Sequence, residues 1–198
     1  MRRTAAILAV VMATWTVAAP AEAKDTSGRV GLGGDTALGW AAVGSTDSLT
    51  LFDARVPGVS LVFGISNMFS LQAIAGVSYG KDDASDTGVV IWNTALRAII
   101  AFELSQAVNL GLVFGVGLSG LRINPDPGPH SSGIYGTIEA GLRPEWFVND
   151  NFSLSTQVGF AIAILDDELS AGNDGAIGVD IFGNANLFGN AGFHYWFN

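Results

Sequence analysis

Asn184 to Asn198 reads NANLFGNAGFHYWFN. Every second residue from Leu187 gives Leu187, Gly189, Ala191, Phe193, Tyr195 and Phe197. The other parity gives Asn186, Phe188, Asn190, Gly192, His194 and Trp196. A period of two belongs to a β-strand, here with one apolar face ending in aromatics and one mixed face.

Seven earlier segments repeat the pattern: 28–42, 55–66, 69–80, 89–102, 110–122, 134–146 and 152–165. The cleanest is 69–80, where Phe69, Leu71, Ala73, Ala75, Val77 and Tyr79 oppose Ser70, Gln72, Ile74, Gly76, Ser78 and Gly80. Pro57 sits at a strand start, where a missing ladder donor is tolerable, whereas Pro144 falls within a strand and weakens it locally. Connections two, four and six are short, around Asn67-Met68, Ser105 to Asn109, and Asn149 to Asn151. Connections one, three, five and seven are longer and mostly acidic: 44–53, KDDASDTG from Lys81, NPDPGPHSSG from Asn124, and the stretch from Asp166 to about Gly183. Eight strands with short turns at one end and long loops at the other make an all-β, up-and-down antiparallel barrel.

Composition says which face is outside. Glycine accounts for 26 of 198 residues, charged residues for 14%, and the mean hydropathy is +0.40. Beyond the N-terminus no run of ~18 apolar residues offers a membrane helix. A hydrophobic chain with no spanning helix fits a membrane barrel. A soluble lipocalin-like barrel would turn the large apolar side chains inward. The mixed face, made of Gly, Ser, Ala and Asn, is too small and too weakly charged for a solvent surface but suits a narrow lumen. Aromatics also segregate by height, with Trp40, Tyr79 and Trp92 at the loop ends and Phe69, Phe102, Trp146, Phe152, Tyr195 and Phe197 at the turn ends. Such girdles bound a lipid-facing band.

Residues 1–23 read as a signal peptide: Arg2 and Arg3, an apolar run from Ala5 to Ala19, and Ala21-Glu22-Ala23 as the cleavage site. Residues 24–198 are then the barrel domain. The chain has no cysteine, hence no disulfide and no lipoprotein anchor. Nine basic residues against eighteen acidic, a formal charge of −9, give no reason to expect nucleic acid as a partner.

The terminal aromatic run and the eight-strand pattern resemble the small outer-membrane β-barrels, namely the outer-membrane protein A transmembrane domain and the X and W types. The resemblance implies residence in the outer membrane of a Gram-negative envelope, periplasmic termini and a monomer. It implies lipid and lipopolysaccharide as surroundings, and assembly machinery that reads Phe193, Tyr195 and Phe197.

Arg97, Glu139, Arg143, Glu103, Glu145, Asp35 and Arg29 all fall on the lumen parity. A charge in a narrow, partly dry interior requires a partner, so Arg97, Glu139 and Arg143 are expected to form an ion-pair network. Such a network either plugs the lumen or gates it as a small porin-like channel for ions. Arg55 and Arg122, at loop ends on the outward parity, are candidates for lipopolysaccharide phosphates. The loop acids Asp82, Asp83, Asp86, Asp166, Asp167, Glu168 and Asp174 have no EF-hand spacing, and neither a metal nor a cofactor is expected. A lipid hydrolase would need a base beside a nucleophile. His130-Ser131-Ser132 offers one, but on a Pro/Gly loop with no orienting third group, and His194 reads as a packed lumen residue. The expected function is non-enzymatic: envelope support or display of surface loops.

Overall fold

The computed structural model describes residues 25–36, 40–45, 48–53, 56–82, 87–125, 131–165, 176–181 and 191–198. The signal-peptide expectation and residues 1–24 lie outside them. The described residues form twelve strands: β1 (Val30–Thr36), β2 (Trp40–Ser45), β3 (Ser48–Asp53), β4 (Pro57–Gly64), β5 (Phe69–Asp82), β6 (Thr87–Ser105), β7 (Val108–Pro125), β8 (Ser131–Asn149), β9 (Phe152–Thr156), β10 (Val158–Leu165), β11 (Ala176–Ile181) and β12 (Ala191–Phe197).

Pairing runs β1–β4–β5–β6–β7–β8–β9–β12 and returns from β12 to β1, every contact antiparallel. The wall is a closed barrel of eight strands, with no free edge at the level of β12. β9 and β10 are successive parts of the seventh strand, and both lie along β8 in one register, Glu145↔Ser155 and Leu142↔Val158.

Two features differ from the sequence-based expectation. Residues 28–42 are not one strand. β1 stops at Thr36, and β2 and β3 form a separate hairpin, closed at Ser45↔Ser48 across residues 46–47. The stretch 44–53, expected as a polar loop, alternates Leu49 and Leu51 with Ser48 and Thr50, and a two-residue connection favours the hairpin. The hairpins β5–β6 and β7–β8 are also longer than expected, with rungs at Asp82↔Thr87 and Ile123↔Ser131. Polar side chains do not stop a ladder where both backbones still offer donors and acceptors. Pro144 does interrupt the wall, since no rung joins β8 to Thr156 or Gln157 beside it.

Each short turn is held by its own side chain. Ser66 Oγ accepts from Met68 N at 3.3 Å and Phe69 N at 3.1 Å. Ser105 Oγ accepts from Ala107 N at 3.4 Å, and Asn149 Oδ1 from Asn151 N at 2.8 Å. Ser and Asn favour such turns because their side-chain oxygens reach a backbone N–H two residues on.

Burial is inverted relative to a water-soluble protein. Val77 is 70% exposed, Leu96 64% and Val59 64%, while Arg97 is 1% exposed and Arg143 2%. Tyr79, Phe102, Trp146, Phe193, Tyr195 and Phe197 are exposed on the outer face, with Phe69, Trp92 and Phe152 partly covered there. For Trp40 only the backbone is described. The outer face carries the apolar side chains and the lumen the charges, as a hydrocarbon surrounding requires. Leu96 lies between Trp92 and Phe102 on that face, near mid-height. Leu96→Arg is therefore expected to destabilise the barrel in lipid vesicles by about 2–4 kcal/mol. A water-exposed leucine would tolerate the change to within about 0.5 kcal/mol. Guanidinium titration of the refolded variant in vesicles separates the two.

Candidate functional site

Inward-facing side chains lie in tiers. At the turn end Trp196, Phe147 and Val62 pack together, with the Phe147 and Trp196 ring centroids 6.3 Å apart. Buried Ile99 and Val113 lie above them on neighbouring strands. Next comes a polar tier, then Ile74 with Ala95, and Leu121 near the loop end.

Strand register builds the polar tier. Arg97 on β6, Gly115 on β7 and Glu139 on β8 share one row of inward positions. Arg97 donates from Nε to Glu139 Oε1 and from Nη2 to Oε2, the latter at 3.1 Å, so the pair is bidentate. Gly115 leaves the room for it, because a Cβ there would lie 2.8 Å from Glu139 Cγ and 2.9 Å from Arg97 Cγ. Gly115→Val is expected to displace the pair and cost roughly 1–3 kcal/mol of stability by overpacking. Urea-unfolding midpoints in vesicles measure it.

Asp35 reaches in from β1, on the other side of the lumen. Its Oδ1 is 3.8 Å from Arg97 Nη1 and its Oδ2 is 3.6 Å from Arg143 Nη1. Gln72 joins the two halves. Its Oε1 accepts from Arg143 Nη1 at 2.8 Å and Arg97 Nη1 at 3.4 Å; its Nε2 donates to Asp35 Oδ2 at 2.8 Å and Ser60 Oγ at 2.7 Å. Arg97 Nη2 also donates to the Thr36 carbonyl at 3.0 Å, and Arg143 Nη2 to Ser155 Oγ at 3.1 Å. Two guanidiniums and two carboxylates balance.

The expected trio of Arg97, Glu139 and Arg143 is thus drawn differently. Arg97 pairs with Glu139, but the carboxylate beside Arg143 is Asp35. Glu145 and Arg29 lie lower, around Trp196. Ser153 Oγ donates to Glu145 Oε1 at 2.6 Å and accepts from Trp196 Nε1 at 2.9 Å. Arg29 donates to the carbonyls of Asp150 at 3.1 Å and Trp196 at 3.3 Å. Glu103 is exposed at the turn end, apart from the network. Sequence reasoning missed Gln72, Ser60 and Ser155. Gln72 had a visible signal, being the one amide on the inward face of β5.

His194 has Nε2 2.8 Å from Ser60 Oγ and Nδ1 3.2 Å from Arg143 Nη2. A serine beside a histidine suggests a nucleophile and its base, but the geometry runs the other way. A guanidinium has only donors. Nδ1 therefore accepts, which leaves the ring proton on Nε2 to donate to Ser60, where a general base would have to accept. Both residues are fully buried.

Arg122 is exposed, with Nε donating to Asn124 Oδ1 at 3.0 Å. Arg55, His130, Asp83, Asp86, Asp166, Asp167, Glu168 and Asp174 lie outside the described residues. Among the described residues no three His, Cys, Asp or Glu cluster as a metal site would need.

The chain superposes on the crystal structure of Ail, the attachment invasion locus protein of Yersinia pestis. The TM-score is 0.52 at 16% identity, over 86% of this chain and 99% of that one. The fold is that of the small eight-stranded outer-membrane β-barrels. Ail in complex with the heparin analogue sucrose octasulfate aligns at a TM-score of 0.51 and 15% identity, over 86% of this chain and 99% of that one. The N-terminal β-barrel domain of Pseudomonas aeruginosa OprF aligns at 0.47 and 17%, over 86% and 98%. No protein-family model matches the sequence, and no curated protein matches it.

Proposed function

We propose that the protein is a non-enzymatic outer-membrane barrel with a closed lumen, exported by its signal peptide and set with both termini in the periplasm. It supports the envelope or presents its loop end at the cell surface. One observation carries the closed lumen: Arg97, 1% exposed, lies in a charge-balanced network contributed by strands on both sides of the barrel. The Trp196 tier lies beneath that network. The non-enzymatic part draws support from His194, whose proton faces the serine it would have to activate.

Lipid surrounds the apolar outer face in this reading, and lipopolysaccharide phosphates meet Arg55 and Arg122 at the loop end. The assembly machinery engages Phe193, Tyr195 and Phe197, all exposed on the outer face of β12.

The test is a planar-bilayer recording on the purified, refolded barrel. No conductance above bilayer leak is expected. Discrete channel steps would overturn the closed lumen and restore the reading as a small ion conduit.

A further inference from the structure

Buried polar atoms are almost always hydrogen-bonded, and each exception requires a physical reason. Among the described residues, four buried side-chain atoms without a protein partner belong to Arg143, Thr156 and Gln157: Arg143 Nε, Thr156 Oγ1, and both Nε2 and Oε1 of Gln157. These residues meet at one place in the wall. β8 pairs with β9 at Glu145↔Ser155 and with β10 at Leu142↔Val158, in the same register. The positions between, Arg143 and Pro144 against Gln157 and Thr156, carry no rung, and Gln157 belongs to neither strand. Pro144 has no N–H to give, which accounts for the gap.

The lumen side of this seam is polar and dry of protein partners. The Arg143 guanidinium is otherwise committed: Nη1 to Gln72 and Asp35, Nη2 to Ser155 and His194. Its Nε–H is the donor left over. Gln157 is 5% exposed and leaves a whole carboxamide unpaired. Facing positions on adjacent strands put their Cβ atoms about 5 Å apart. Nevertheless the two side chains do not bond to each other. On the lipid-facing parity the Thr156 hydroxyl is orphaned as well, so the seam is polar through the thickness of the wall.

We propose that ordered water is bound in this seam as a permanent part of the barrel, accepting from Arg143 Nε–H and Gln157 Nε2–H and donating to Gln157 Oε1. A buried water needs two to four polar partners, and these three suffice. The ligand must both donate and accept. An anion would leave Gln157 Oε1 unserved and would unbalance a network whose charges already cancel. Bound water therefore lies against the Arg143 half of the network, while every donor nitrogen of the Arg97 side chain already has a protein partner. The proposal is independent of whether the lumen conducts.

The two arginines provide an internal control. In isotope-labelled wild-type protein refolded in detergent micelles, NMR cross-peaks between water and arginine Nε–H groups are expected at Arg143 and not at Arg97. Gln157→Leu removes the carboxamide at nearly constant size. It is expected to abolish the Arg143 cross-peak and lower the thermal midpoint by a few degrees, since Arg143 Nε is then left dry. No water contact at Arg143 in the wild type would overturn the proposal. So would a higher midpoint for Gln157→Leu, because that is the result if the amide has no partner to lose.

Discussion

Arg97→Met is expected to destabilise the barrel by about 3–5 kcal/mol, because removing one partner of a buried ion pair strands the other. The single change leaves Asp35 and Glu139 with only Arg143 between them, two negative charges against one positive in a site screened from bulk solvent. Adding Glu139→Leu should recover most of the loss. The double variant keeps Asp35 beside Arg143, one charge of each sign, and fills the row across Gly115 with apolar volume. Replacing a buried pair by well-packed hydrophobic residues is often neutral or stabilising. Unfolding of both variants in vesicles, followed by tryptophan fluorescence and by the mobility difference between boiled and unboiled samples, distinguishes the cases. A double variant as unstable as the single one would mean that Glu139 serves something besides Arg97.

Trp196→Ala should cost a similar amount, ~3–5 kcal/mol, by leaving a cavity where the ring packs against Phe147 and Val62. It also strips Ser153 Oγ of the indole donor. The backbone at this position is clamped independently: Asn151 Nδ2 and Arg29 Nη2 donate to the Trp196 carbonyl, and the Trp196 N–H donates to the Asn151 carbonyl. β12 should therefore stay in place while the lower tier empties. With the charge tier above intact, the closed lumen proposed above leads to an expected loss of stability without a gain of conductance. Recording current and unfolding on the same preparation shows whether the two readouts part as expected. A conducting Trp196→Ala barrel would place the seal at the turn end.

The wall was legible in the sequence because its determinants are local. Alternation, short turns with Ser or Asn at their head, and the inward parity of Arg97, Glu139 and Arg143 all lie within neighbouring hairpins. The Arg97–Glu139 pair follows from hairpin register alone, since β6, β7 and β8 bring Arg97, Gly115 and Glu139 into one row. Asp35 falls on the inward parity, but nothing local says that the first strand comes within reach of β6 and β8 across the lumen. That depends on closure by β12 and on the side-chain size of every inward residue between. The β2–β3 hairpin was hidden for another reason: its serines and threonines resemble a loop when polarity is weighed above period.

β12 offers Phe193, Tyr195 and Phe197 to the outside and Gly192, His194 and Trp196 to the inside. Shifting it by one residue against β1 would send every side chain to the opposite face. His194 and Trp196 would enter lipid, and Phe193 and Tyr195 would be forced against the Asp35–Arg143 tier. A closing error of a single residue is therefore not small for such a strand, because it turns the strand inside out. The final strand thus proofreads the closure that it completes.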